Sequence, residues 1–151
     1  QAEDGIRDKR GGLVGSEMCI RDSSEIKGFA LGDAVVEGDR RSSLRTAERL
    51  VAQGASVAGM VYPTATAVRR AHLALALLDS GVAPNQIERR LKAPPFIARQ
   101  VLETARACSL DQLRGAAVAL ADLELWTRGG AEYPDELALD LALIAATDDS
   151  G

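Results

Sequence analysis

A chain of 151 residues, 46% hydrophobic and 26% charged, has the length and apolar content of one globular domain with a modest core. Its 18 basic and 22 acidic residues leave a formal net charge of −4, which argues against a surface dedicated to phosphates. No apolar run reaches the ~20 residues needed to cross a bilayer, so a soluble domain is expected.

The chain opens on QAEDGIRDKRGGLVGSEMCIRDSS, which has no apolar periodicity. Glu3, Asp4, Asp8, Glu17 and Asp22 are incompatible with a secretory signal or a mitochondrial presequence. Gln1 to Asp8 can be encoded by CAA GCA GAA GAC GGC ATA CGA GAT, which resembles the flow-cell adapter of short-read sequencing libraries. Leu13 to Asp22 can be encoded by CTC GTG GGC TCG GAG ATG TGT ATA AGA GAC, which resembles the transposase-tagging adapter that follows it, and Lys9 to Gly12 would be the index between them. Residues 1–23 are therefore expected to be a disordered, adapter-derived tail, with genuine protein from about Ser23 or Ser24 and native coding sequence missing upstream. The alternative is a natural disordered tail. Without residues 1–23 the chain keeps 14 basic and 17 acidic residues, a balance of −3. Cys19 belongs to that tail, which leaves Cys108 as the single native thiol, without a disulfide partner, as suits a reducing cytoplasm.

From Ser23 to Asp39, Phe29, Leu31, Ala34 and Val35 line one face of a short helix that Gly38 ends. Asp39 or Ser43 caps the next helix, where Leu44, Ala47, Leu50 and Val51 recur at helical spacing before Gly54. Val57, Val61, Thr64, Val68, Ala71, Leu75 and Leu78 then alternate four and three apart, a stripe along a long helix capped by Ser56 and closed at Ser80-Gly81. Pro63 interrupts this pattern and predicts a kink or restart, because proline removes a donor and presses on the carbonyl of Gly59. His72 has no second ligand at metal spacing, and its expected role is packing or surface.

Pro84 suits a first helical turn, with Ile87 and Leu91 inward on a helix that stops before Pro94-Pro95. From Pro95, Ile97, Val101 and Ala105 form one stripe with Phe96 and Leu102 beside it. Ser109 opens the next helix, and Gln112 three residues on predicts a capping box. Leu110, Leu113, Ala117 and Leu120 form its first face, while Val118 and Leu125 lie off that stripe, so contacts on two sides are expected. Arg128-Gly129-Gly130 breaks the chain. A last helix, Asp135 to about Ala146, carries Leu137, Leu139, Leu141, Leu143 and Ile144, and is buried on most sides or docks on another chain. The tail 147–151 should fray. With no two-residue alternation anywhere, the fold class is all-α, a compact bundle of about six or seven helices spanning 24–146.

No phosphate loop, HExxH, cysteine cluster or nucleophile motif is present, so catalytic, metal-ligating and cofactor-binding residues are all read as none. Cys108 with His72 could make a hydrolase only outside any known motif; a small buried side chain at a helix end is the expected role of Cys108. QIERRLKAPPFIARQVLETAR has the rhythm of a helix-turn-helix, with Arg89, Arg90, Lys92, Arg99 and Arg106 available for phosphates. Its turn is Pro-Pro, however, and the reading helix would begin on the apolar Phe96 and Ile97.

Taken in order, LGDAVVEGDRRSSLRTAERLVAQG, the long helix with Arg69-Arg70, RRLKAPPFIARQVLETAR, SLDQLRGAAVALADLELW and the final leucine-rich helix resemble the C-terminal helical domain of the delta subunit of bacterial DNA polymerase III. The chain departs from that pattern near Trp126, at Asp140 and at Pro63. The resemblance implies a collar domain within a five-membered clamp-loader ring, non-catalytic by itself, which joins motor and delta-prime type neighbours. It implies that the sliding clamp is gripped by a separate N-terminal region, that DNA is reached indirectly, and that the protein is cytoplasmic with no membrane partner. Trp126, Leu125, Val118, Leu139 and Leu143 are the expected subunit-interface residues, although Trp126 could equally close the domain's own core. A small helix-turn-helix DNA-binding protein is the rival reading.

Overall fold

A computed structural model describes residues 30–130 and 132–148 of the chain. The expectations for the tail 1–23, for Phe29 and for residues 149–151 lie outside the described residues. Seven α-helices follow in order: α1 (30–36), α2 (Arg40–Ala52), α3 (Val57–Asp79), α4 (Pro84–Arg90), α5 (Pro95–Ala105), α6 (Leu110–Leu125) and α7 (Asp135–Ala146), with a π-helical turn Trp126–Gly130 between the last two. Among the described residues there is no strand.

The boundaries follow local chemistry. Asp39, Ser56 and Ser109 cap α2, α3 and α6 by accepting the amides of Ser42, Gly59 and Gln112 at 2.9, 3.0 and 3.1 Å, each worth about 1 kcal/mol. Pro84 and Pro95 occupy the first positions of α4 and α5, where a missing N–H costs nothing. At the end of α1, Gly38 with φ 75° lets its amide reach Val35 O and that of Asp39 reach Ala34 O, the paired bonds of a Schellman turn. The ends of α2 and α3 repeat this at Gly54 and Gly81. At the end of α4 the left-handed residue is Lys92, φ 53°.

The long helix α3 is the scaffold, in contact with α4, α5, α6 and α7, while α6 packs between α3 and α7, and α7 reaches α2. Its predicted stripe faces inward: Val57, Val61, Thr64, Val68, Ala71 and Leu75 are buried, and Leu78 is half-buried. Pro63 causes no break, and α3 is one helix through it. The bond it forfeits is to exposed Gly59 near the helix start, where water can take its place. The next residue, buried Thr64, satisfies its hydroxyl by donating to Met60 O at 2.7 Å.

α1 lies close on α3 at Gly32, where a Cβ would stand 2.7 Å from the Cβ of Ala67. Its C-terminal end is tied to the α5–α6 junction: Val36 O accepts from Gln112 Nε2 at 3.1 Å and from Cys108 Sγ at 3.2 Å. The predicted capping box is therefore half made, since the Gln112 side chain serves α1 rather than the amide of Ser109. At the other side, Arg40 donates to Ile144 O and Thr147 Oγ1, both at 3.4 Å, and lies 3.7 Å from Asp148. A cation there complements the carbonyl end of α7.

α5 is rotated from its expected face. Ala98, Leu102 and Ala105 are buried, while Ile97 and Val101 are half-buried and Phe96 is exposed. Small Ala98 and Ala105 let α5 approach α3 closely, which leaves the larger Ile97 and Val101 to the side toward α1.

Candidate functional site

The residues expected at a subunit interface do not share one surface. Val118 and Leu125, two turns apart on α6, are each 62% exposed. Leu139 and Leu143 point the other way and are part of the domain's own core, at 2% and 0% exposure. Their expected place at an interface is corrected accordingly: α7 buries Ala138, Leu139, Ala142, Leu143 and Ala146 against α6 and α2. The outward apolar stripe of α7 is Leu137, Leu141 and Ile144, 46, 41 and 40% exposed. Trp126 is half-buried against the domain's own core and meets Tyr133 edge-on at 5.8 Å between ring centres, as the core-closing alternative expected. The pair closes the α6–α7 turn, which Gly129 completes at φ 95°.

Two concave surfaces flank α3. A cleft of about 260 Å³ between α1, α3 and α5 is lined chiefly by apolar side chains, Val36, Ala71, Ile97 and Val101 among them, with Asp33 and Arg70. Much of Asp33 is exposed, yet partial burial and then the neighbouring Glu37 push its carboxyl above the ordinary range. The second is a more open groove of about 1000 Å³ between α3, the end of α4 and α6, and its lining contains Arg69, Arg70, Arg90, Lys92 and Arg114 without one carboxylate.

The thiol of Cys108 lies 3.2 Å from Val36 O and 3.3 Å from Thr104 O. Burial, and then Glu37, push it up, so it stays a protonated hydrogen-bond donor that pins α1. His72 lines the basic groove instead and has no hydrogen bond or ion pair to Cys108. No group of three or more His, Cys, Asp or Glu among the described residues could hold a metal ion. The helix-turn-helix cations divide between surfaces: Arg90 and Lys92 line the groove, whereas Arg99 on α5 and Arg106 just past its end are exposed outside it. The presumed reading helix instead packs Ala98, Leu102 and Ala105 inward on the scaffold.

A family profile described as DNA polymerase III delta subunit, C-terminal domain, matches residues 25–146. The chain belongs to this family. Among solved structures, its fold is similar to that of the Bacillus subtilis DNA clamp loader delta protein (YqeN), with a TM-score of 0.69 and 23% identity over 87% of this chain. The chain spans 38% of that protein's length. No curated protein matches the chain.

Within this delta C-terminal domain, the α7 stripe and the basic groove were the surfaces not singled out from sequence. A signal for the stripe was present, since Leu137, Leu141 and Ile144 are spaced four and three apart. The groove drew its cations from three separate helices and had no contiguous signal.

Proposed function

We propose that this domain is a fragment of a clamp-loader delta subunit and acts in chromosomal replication as an assembly module, joining motor and delta-prime type subunits through a collar. The family match across residues 25–146 carries this reading. The fold supports it: an all-helical domain whose α6 and α7 expose Val118, Leu125, Leu137, Leu141 and Ile144 has apolar surface for neighbours to cover. The native domain is read as 24–146, with residues 1–23 as an adapter-derived tail. Gripping the sliding clamp and contacting DNA fall to the part of the longer protein outside this domain. The parent belongs to the DNA polymerase III holoenzyme, and this domain has no catalytic step of its own. Among the described residues no helix is long and apolar enough to cross a membrane, and the working compartment is read as the bacterial cytoplasm.

The test is co-migration. Residues 24–151, mixed with motor and delta-prime type subunits, should enter their complex on gel filtration. Failure to do so, when a delta chain including the upstream region does enter, would refute an assembly role for this domain.

A further inference from the structure

The cleft between α1, α3 and α5 has more apolar surface than the described residues cover. Phe96, at the start of α5, is 65% exposed, and Ile97 and Val101 are half-buried along the same cleft of about 260 Å³. Val36, Ala67 and Ala71 complete its apolar lining, and α1 sends only Asp33 and Val36 into it. An aromatic ring left in water beside a concave apolar surface is a place where further apolar side chains gain by burial.

The chain carries such side chains immediately before α1. At 3.6 residues per turn, a helix returns to one face after three or four residues and again after seven. Asp33 and Val36 share the cleft-facing side of α1, and that side continued upstream passes through Phe29, four before Asp33, and Ile26, three before Phe29. Leu31, Ala34 and Val35 occupy the opposite side and are buried in the core. The helical period therefore sets Phe29 over the cleft and not on the core face with which hydropathy alone groups it.

Two further observations tie residues 25–29 to this domain. The family profile begins its match at residue 25, upstream of α1 as described from residue 30. The sequence there also carries helix-start chemistry, with Ser24 suited to a cap and Glu25 a first-turn acid for the positive end of the helix dipole.

We propose that the α1–α3–α5 cleft is a docking site for the chain's own segment 25–29, which continues α1 upstream and seats Phe29 and Ile26 against Phe96, Ile97 and Val101. Gly28 makes this segment a poor helix by itself, so the cleft supplies what holds it. Lys27 falls on the far side and keeps its ammonium in water. The docking stands independently of the assembly reading. Where that reading holds, it adds how the upstream region joins this domain: through a packed helix face and not a free tether.

The test uses the full chain. Phe29→Ala and Ile26→Ala should each lower the thermal midpoint by roughly 3 °C or more and speed amide hydrogen exchange across residues 30–36 several-fold, whereas Lys27→Ala should change neither. Alanine is the best helix former, so a loss at 26 or 29 reports lost contact and not lost propensity. Val101→Ala, inside the cleft, should lower the midpoint less in the Phe29→Ala background than in the unaltered chain, because the contact is already gone. Equal effects at 26, 27 and 29, or none at any of them, overturn the proposal. So does additivity of Phe29→Ala with Val101→Ala, and so does protection of residues 30–36 that appears only as protein concentration rises, which would assign the cleft to a second copy. Co-migration with motor and delta-prime type subunits is scored separately. Its failure with the coupling intact refutes the assembly reading and leaves the docking standing, and its success without the coupling does the reverse.

Discussion

Replacing Gly32 by alanine tests how closely α1 sits on the scaffold. The new Cβ would stand 2.7 Å from Ala67 Cβ, while its next neighbours, Thr64 Cα and Pro63 O, are at 3.6 and 3.7 Å. One contact therefore decides the outcome, and the helices must part by about 0.7 Å to bring it to 3.4 Å. Gly to Ala inside a helix gains about 1 kcal/mol, whereas overpacking a fitted contact costs about 1–3 kcal/mol. Gly32→Ala alone should thus be neutral to destabilising by about 2 kcal/mol. Ala67→Gly alone loses about 1 kcal/mol of helix propensity. In the double variant the clash is gone and the Gly32→Ala gain is realised, so the pair should be more stable than the sum of the singles by about 1–3 kcal/mol. Urea unfolding of the four proteins, followed by far-ultraviolet circular dichroism, measures this coupling. A coupling within about 0.5 kcal/mol of zero would mean that Gly32 and Ala67 do not meet, and the placement of α1 would be wrong.

Left-handed helix ends give a paired prediction of opposite sign. Gly38→Ala should lower stability by about 1–2 kcal/mol, since it places a Cβ at a left-handed φ and 3.0 Å from Gln112 Nε2, displacing the amide that caps Val36. Lys92→Gly should raise the thermal midpoint by relieving the same strain, up to about 1 kcal/mol; an unchanged midpoint would deny that Lys92 is strained. Asp33 supplies a pH dependence. Its carboxyl is held above its ordinary value of 3.8 by burial and then by Glu37, so in the window between 3.8 and the raised value the folded chain binds more protons than the unfolded chain. Stability attributable to this group therefore falls as pH rises through that window. Asp33→Asn should remove that decline and stabilise the domain at neutral pH, as denaturant midpoints measured across acid and neutral pH would register; a steeper decline in the variant would reverse the assigned cause.

The helical reading depended on local chemistry, which is why so much of it was legible. Ser56, Ser109, Pro84, Pro95 and the glycines at 38, 54 and 81 act on amides and dihedrals within a few residues of themselves, so element order and boundaries could be read along the chain. The stripe of α3 was legible for a related reason: a helix that touches five others must be apolar at every turn of one face. Packing decided the rest. Ala98 and Ala105, rather than the bulkier Ile97 and Val101, set the inward face of α5, because closeness of approach favours small side chains and periodicity does not weigh size. Leu139 and Leu143 are indistinguishable by hydropathy from Leu137 and Leu141, and only docking against α6 and α2 determined which pair is core and which is surface. Gln112 gave up a local bond for one 76 residues away in sequence at Val36, an exchange that no local rule contains. The basic groove exists only because α3, α4 and α6 bring Arg69, Arg70, Arg90, Lys92 and Arg114 to one side. In the sequence these are scattered charges on solvated faces; tertiary structure concentrates them, because electrostatic potential depends on distance through space and not along the chain.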